Sequence, residues 1–295
     1  MEIINLLRPK QWVKNSFLFI PLFFAGEILE LSKIITTLIG FLCFSLIASC
    51  VYILNDYRDI EADKKHPKKS KRPLAAGTVS KSQAIIVLFL CLITGFGVAF
   101  FLQTKFLVIL MIYFILNLGY SFGLKNISIL DVIIVSIGFV LRVKSGGALS
   151  DIYVSEWLTL MIFLLALIMA FAKRRDDVLL KINSGTTMRK VVKGYNLEFM
   201  NVTLAMLSAI TIVSYLLYAL SNEIIEQWGT HRVYYTSLFV ISGILRYLQI
   251  TFVENDTGSP TSILYKDKFI QFSLLLWISS FYFIIYYPGI KIFGE

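Results

Sequence analysis

Asp56, Asp59, Glu61 and Asp63 fall within the nine residues N-D-Y-R-D-I-E-A-D, directly after a long apolar run. If the helix of that run continues, Asp56, Asp59 and Asp63 sit at i, i+3 and i+7 on one face, and Glu61 points away. Three carboxylates on one face repel each other unless a cation sits among them. Oxygen donors without Cys or His favour Mg²⁺, which is held by one or two carboxylates and keeps its other positions for water and substrate phosphate. Asn55 adds a neutral amide beside them. The plain alternative is an acidic helix end paired with its own basic neighbours.

Those neighbours follow at once, in K-K-H-P-K-K-S-K-R-P. Lys64 to Lys71 read equally well as a juxtamembrane run drawn to anionic lipid. Arg72 differs, because R-P-L-A-A-G fixes it beside a proline, where a guanidinium could fork onto a phosphate. A second charged stretch, A-K-R-R-D-D-V-L-L-K, pairs Lys173 with Asp177 at i, i+4, with an ordinary snorkelling helix end as the competing reading. Polar residues inside apolar runs are costly in lipid and usually face a cavity. Asn117, Tyr120 and Lys125 in N-L-G-Y-S-F-G-L-K, then Asp131 and Arg142, and later Arg246, are of this kind. Tyr120 could equally be interfacial. Asp131, Arg142 and Arg246 could equally be structural. Lys14, Lys125 and Lys173 are the expected phosphate-holding lysines.

The elements that position these groups cross a membrane. The 295 residues are 57% hydrophobic and 16% charged, against about 25% charged in a soluble domain. Their mean hydropathy is +0.74. Apolar stretches recur at about 13–30, 34–54, 83–103, 105–123, 127–149, 155–172, 199–220, 233–253 and 268–287. Each is long enough to cross a bilayer core, and none alternates with the period of two that a barrel needs. The expected class is an all-α polytopic membrane protein with nine transmembrane helices. The first run lacks a small-residue cleavage site before it and is expected to stay in the protein.

The net charge of +9 is unevenly spread. The N-terminal segment carries Arg8, Lys10 and Lys14, the 55–82 loop carries eight Lys or Arg, and 173–195 carries seven. Alternate loops hold only Lys33, Lys105 and Arg232. This asymmetry predicts a cytoplasmic N-terminus, both long loops in the cytoplasm and a C-terminus outside. The basic excess follows topology and gives no reason to expect nucleic acid. Cys43, Cys50 and Cys91 lie inside spans without metal or disulfide spacing. His66 and His231 are the only histidines, so a histidine-based triad or zinc site is not expected.

The stretch N-D-Y-R-D-I-E-A-D resembles the N-D-x-x-D-x-x-x-D signature of the UbiA superfamily of intramembrane prenyltransferases. That resemblance implies nine helices around a central cavity open to the cytoplasmic side, and Mg²⁺ holding a diphosphate. Further fragments, L-L-R-P-K-Q-W-V-K-N, N-L-G-Y-S-F-G-L-K-N-I-S-I-L-D-V, G-F-V-L-R-V-K-S-G-G-A, K-R-R-D-D-V-L-L and R-Y-L-Q-I with T-G-S-P-T-S-I-L-Y-K-D-K, are similar to the branch of decaprenyl-phosphate phosphoribosyltransferases. Lys181 stands where ordinary members of the superfamily carry a second metal-binding aspartate. The branch implies transfer of 5-phosphoribose from phosphoribosyl diphosphate to a polyprenyl phosphate.

On this reading residues 1–295 form one transmembrane transferase domain with active-site loops at about 55–82 and 173–198. Asp56, Asp59 and Asp63 are the metal and catalytic residues. Lys14, Asn55, Arg72, Asn117, Tyr120, Lys125, Arg142, Lys173 and Asp177 bind substrate. The expected setting is the bacterial plasma membrane, and self-association into a homo-oligomer stays open. Two other functions compete. One is a prenyltransferase with an isoprenoid diphosphate donor and a quinone, haem or lipid acceptor. The other is a transporter of an anionic lipid or metabolite, which leaves the spacing of the acids unexplained.

Overall fold

The computed structural model describes residues 2–64, 69–184, 190–254, 263 and 266–287. Residues 65–68 with His66, the T-G-S-P-T-S fragment and the C-terminal P-G-I-K-I-F-G-E lie outside the described residues. In chain order the helices are α1 (Glu2–Leu7), a 3₁₀ helix (Pro9–Phe19), α2 (Ile20–Phe24), α3 (Leu31–Arg58), α4 (Ile60–Lys64), α5 (Pro73–Ala76), α6 (Lys81–Leu102) and α7 (Thr104–Phe122). Then follow α8 (Leu130–Ser150), α9 (Glu156–Ser184), α10 (Leu197–Ala219), α11 (Asn222–Trp228), α12 (Ser237–Gln249) and α13 (Lys268–Tyr286). A π-helical turn, Ile250–Glu254, extends α12. Among the described residues there is no strand.

Eight of these helical stretches are long and apolar enough to span a bilayer: α3, α6, α7, α8, α9, α10, the stretch through α12 and α13. The protein is a multi-pass membrane protein. On α6, Phe89, Leu90, Ile93, Phe100 and Phe101 are exposed, an outer surface suited to lipid and not to water. The 28 residues of α3 measure about 42 Å, against a hydrocarbon core of about 30 Å. Its charged end therefore has length to spare beyond the apolar layer, as does that of α9 with 29 residues.

The expected first span, 13–30, takes a different form. Pro9 and Pro21 each stand at the start of a helix, and between them the chain winds as a 3₁₀ helix before the five residues of α2. At about 2.0 Å per 3₁₀ residue and 1.5 Å per α residue, these sixteen residues reach about 30 Å. Trp12 Nε1 donates to Ser49 Oγ at 3.0 Å, and Asn15 Nδ2 donates to Ser45 Oγ at 2.8 Å, so the segment is fastened to α3. Gly146 of α8 lies against the Leu18 backbone so closely that a Cβ there would sit 1.9 Å from the Leu18 carbonyl oxygen. Small residues allow such approach between membrane helices.

The chain divides into two compact units, residues 1–125 with 137–154, and residues 126–136 with 155–295. The first has cores around Phe44, Ile47, Phe106 and Leu110, and around Leu6, Ile53, Leu74 and Leu88. The second is built around Val132, Ile168, Phe171, Met200 and Leu204.

Candidate active site

The acidic cluster belongs to the first unit. Asp56 occupies the last turn of α3 and is 2% exposed. The α-helix stops at Arg58, and Asp59 is its C-cap, with φ −96° and ψ 9°. The Asp59 N–H still donates to the Asn55 carbonyl at 3.0 Å, and the Asp63 N–H donates to the Asp59 carbonyl at 2.7 Å. The helix thus bends at Asp59 and resumes as α4. Continuous register across all three aspartates is corrected to this extent. Carboxylates at a helix C-terminus oppose its dipole and each other, and beyond the bend Asp59 has a different cation from Asp56 and Asp63.

Asp56 and Asp63, 3% exposed, turn inward together. Arg72 Nη1 bridges them, 2.9 Å from Asp56 Oδ1 and 2.6 Å from Asp63 Oδ2. Arg8 Nη2 forks onto Asp56, 2.5 Å from Oδ1 and 2.6 Å from Oδ2, and its guanidinium lies 5.2 Å from the centre of the Tyr52 ring. Lys69 Nζ stands 4.0 Å from Asp63 Oδ1. Asp59 is 33% exposed and takes Lys125, whose Nζ is 3.1 Å from Asp59 Oδ2 and 3.1 Å from Asn55 Oδ1. Glu61 is 81% exposed and pairs with Lys64.

Both arginines precede a proline at a helix start. Arg72 caps α5 in an extended conformation, and Arg8 caps the 3₁₀ helix with φ 54° and ψ 58°. Positive φ costs a non-glycine residue roughly 1–2 kcal/mol, here set against two charge-assisted hydrogen bonds to a buried carboxylate. The sequence marks Arg8 only as a topology charge, and the signal that could have found it is the pair of Arg-Pro dipeptides.

A divalent cation fits the Asp56–Asp63 pair. Among the described residues no group of three His, Cys, Asp or Glu could hold a metal. The two inward carboxylates nevertheless converge, one oxygen each, on a single cationic nitrogen. Two carboxylates completed by water and phosphate are an ordinary Mg²⁺ set.

The other expected residues of this unit have protein partners or half-buried positions. Asn117 Nδ2 donates to the Tyr113 carbonyl at 2.8 Å. Lys14 and Tyr120 are half-buried. Arg142 is 5% exposed, and its Nε donates to Asn15 Oδ1, Nη1 to the Gly138 carbonyl and Nη2 to Tyr113 Oη, at 2.8, 2.8 and 3.0 Å. The rings of Phe44, Tyr113 and Phe139 surround its guanidinium. Arg142 thereby ties the 3₁₀ segment to α7 and α8.

In the second unit Lys173 is exposed, and Asp177 Oδ2 accepts from Arg174 Nη1 at 3.1 Å. Arg174 Nε also donates to Asp131 Oδ2 at 2.5 Å, while Tyr195 Oη donates to Asp131 Oδ1 at 2.7 Å and accepts from the Ile129 N–H at 2.5 Å. Ile129 holds φ 70°, a strained value for a β-branched residue, at the entrance to α8. Burial pushes the Tyr195 hydroxyl well above its ordinary range, so it remains a donor. The Asp131–Arg174–Tyr195 network was not legible, since its members lie 43 and 64 residues apart. Arg246 binds Asp267 and Glu254, at 2.8 Å each.

The model of the UbiA prenyltransferase family matches residues 16–270, and the chain belongs to that family. It is 31% identical to the decaprenyl-phosphate phosphoribosyltransferase of Mycolicibacterium smegmatis, over 97% of this chain and 92% of that one. It is 32% identical to the Corynebacterium glutamicum protein of the same name, over 94% of this chain and 84% of that one. A UbiA homologue from Archaeoglobus fulgidus, solved bound to DMAPP and Mg²⁺, shares the fold with a TM-score of 0.72 at 22% identity, over 97% of this chain and all of that one.

Proposed function

We propose that this protein transfers 5-phosphoribose from phosphoribosyl diphosphate to a polyprenyl phosphate and releases diphosphate. The observation that carries the chemistry is the buried Asp56–Asp63 pair with Arg8 and Arg72 on it, at the charged end of a membrane helix. The near-full-length likeness to two phosphoribosyltransferases supports the choice of donor and acceptor.

Asp56 and Asp63, with Asp59 as the third candidate, would hold Mg²⁺, which when bound supplies positive charge to a departing diphosphate. Arg8 and Arg72 offer planar donors to phosphate oxygens, and Lys125 offers an ammonium. An oxygen of the acceptor phosphate bonds to ribose C1 while the C1–O bond to diphosphate breaks and its electron pair leaves with the diphosphate. That acceptor oxygen is already anionic at neutral pH, so the step needs no strong base. Lys14, Asn55, Asn117, Tyr120, Arg142, Lys173 and Asp177 remain assigned to substrate recognition, directly or by holding its ligands in place. Residues 1–295 serve as one transferase domain in a bacterial plasma membrane. The N-terminus and the α3 end face the cytoplasm, and the 3₁₀ segment with α2 makes the ninth crossing.

Purified protein incubated with Mg²⁺, polyprenyl phosphate and either labelled phosphoribosyl diphosphate or a labelled prenyl diphosphate tests the reading. Label is expected in lipid only from the first donor. Transfer only from the prenyl donor would replace this reading with a prenyltransferase.

A further inference from the structure

Among the described residues, two guanidinium groups hold the buried carboxylates of Asp56 and Asp63, and the Lys69 ammonium adds a further positive charge 4.0 Å from Asp63 Oδ1. Arg72 Nη1 holds the point where one oxygen of each carboxylate converges. A divalent cation added to this set would leave a larger excess of positive charge beside groups that are 2% and 3% exposed, an arrangement that burial penalises heavily. An anion alone fares no better, because drawing Arg8 and Arg72 away takes both guanidiniums off Asp56 and one off Asp63, and both carboxylates are buried. A cation and a polyanion arriving together disturb the charge balance less than either alone. The cation takes the carboxylates, and the released guanidiniums take the anion.

We infer that Arg8 and Arg72 are exchange residues, which hold Asp56 and Asp63 until a divalent cation and a diphosphate bind as one unit. The inference rests on the reading of this site as a diphosphate site and deepens it: the ligand is the cation–diphosphate complex, and either component alone binds weakly. The 24% exposure of Arg72 and 22% of Arg8 leave both able to change partners, whereas the carboxylates stay fixed. Binding couplings of this kind are reciprocal, so each component must raise affinity for the other by the same factor.

The exchange makes an unusual demand of mutants. Removing an arginine should improve binding of the metal alone, and removing a carboxylate charge should improve binding of the anion alone. Full-length protein in nanodiscs is titrated with Mn²⁺ by electron paramagnetic resonance without any anion. Separately, labelled inorganic diphosphate is bound in the presence of EDTA. Arg72→Met and Arg8→Met are expected to bind Mn²⁺ about tenfold tighter than wild type, and Asp63→Asn to bind metal-free diphosphate about tenfold tighter. Unchanged or weaker binding in both arms overturns the inference, since it makes the arginines ordinary structural partners. If the variants fail to fold, wild type decides: Mn²⁺ binding that inorganic diphosphate does not strengthen, after correction for their complex in solution, overturns it equally. Inorganic diphosphate carries no sugar or prenyl group. Coupling that persists while labelled phosphoribose fails to transfer would therefore sink the proposed function and leave the exchange standing.

Discussion

Arg8 and Arg72 stand 64 positions apart, each before a helix-starting proline, and both reach the same atom, Asp56 Oδ1. Proline restricts the residue before it and begins a helix without a wasted N–H. Each arginine is thus delivered from a fixed backbone, and their meeting point defines the buried end of the site.

Charge removal at that point should separate the acids by role. Asp56→Asn and Asp63→Asn are expected to lower kcat at least ~100-fold, or about 3 kcal/mol, if their charge stabilises the leaving group through the metal. Asp59→Asn should also lose activity, through its tie to Lys125. Glu61→Gln, at an exposed residue that pairs with Lys64 in its own helix turn, should stay within about twofold. Steady-state kinetics with phosphoribosyl diphosphate check the ranking, and equal losses at Glu61 and Asp56 would contradict it.

The lysines are expected to act on binding. Lys14→Met, Lys125→Met and Lys173→Met should raise KM for the phosphorylated donor while leaving membrane insertion intact. Lys125 should show the largest effect, because it is already held by Asn55 and Asp59 at the site. An unchanged KM in all three would reduce them to topology signals.

The legibility of the site ends where the chain bends. Spacing brought out Asp56, Asp59 and Asp63, because acids clustered at the end of an apolar run must be neutralised by a cation, and the proline beside it singled out Arg72, though as a phosphate donor and not as a partner of the acids. It could not show the stop at Arg58, beyond which Lys125 takes Asp59 while Arg72 holds Asp56 and Asp63 together. Apolar length identified the spans from α3 onward. It misjudged the conformation of 13–30, where two prolines and bonds to Ser45 and Ser49 favour a 3₁₀ winding that hydropathy does not register. Asp131, Arg174 and Tyr195 meet only through tertiary packing.

That 3₁₀ segment should depend on the close approach at Gly146. Gly146→Ala places a methyl against the Leu18 backbone, which cannot rotate away as a side chain could. Overpacking of this kind costs about 1–3 kcal/mol. A lowered melting temperature in detergent is expected, and an unchanged one would show that the helices separate freely.

The start of α13 carries a pH-dependent contribution. Hydrogen bonds from Arg246 hold the Asp267 carboxyl below the usual carboxylate range, and Asp267 also accepts from the Ile270 N–H at 2.9 Å. A depressed carboxyl contributes stability that is present above its unfolded value, about 3.9, and is lost as pH falls through the lower folded value. Asp267→Asn keeps a capping oxygen and should flatten this acid-side loss, while Asp267→Ala should also cost about 0.5–2 kcal/mol at neutral pH. Melting curves between neutral and acid pH check both, and identical acid slopes in wild type and Asp267→Asn would contradict the assignment.

The central claim is tested most directly by mass spectrometry of the lipid formed from Mg²⁺, phosphoribosyl diphosphate and decaprenyl or undecaprenyl phosphate. The account predicts a lipid heavier than its polyprenyl phosphate by one phosphoribosyl group, formed by wild type and lost with Asp56→Asn. A lipid of unchanged mass, from protein that transfers a prenyl group when given a prenyl diphosphate instead, would contradict it.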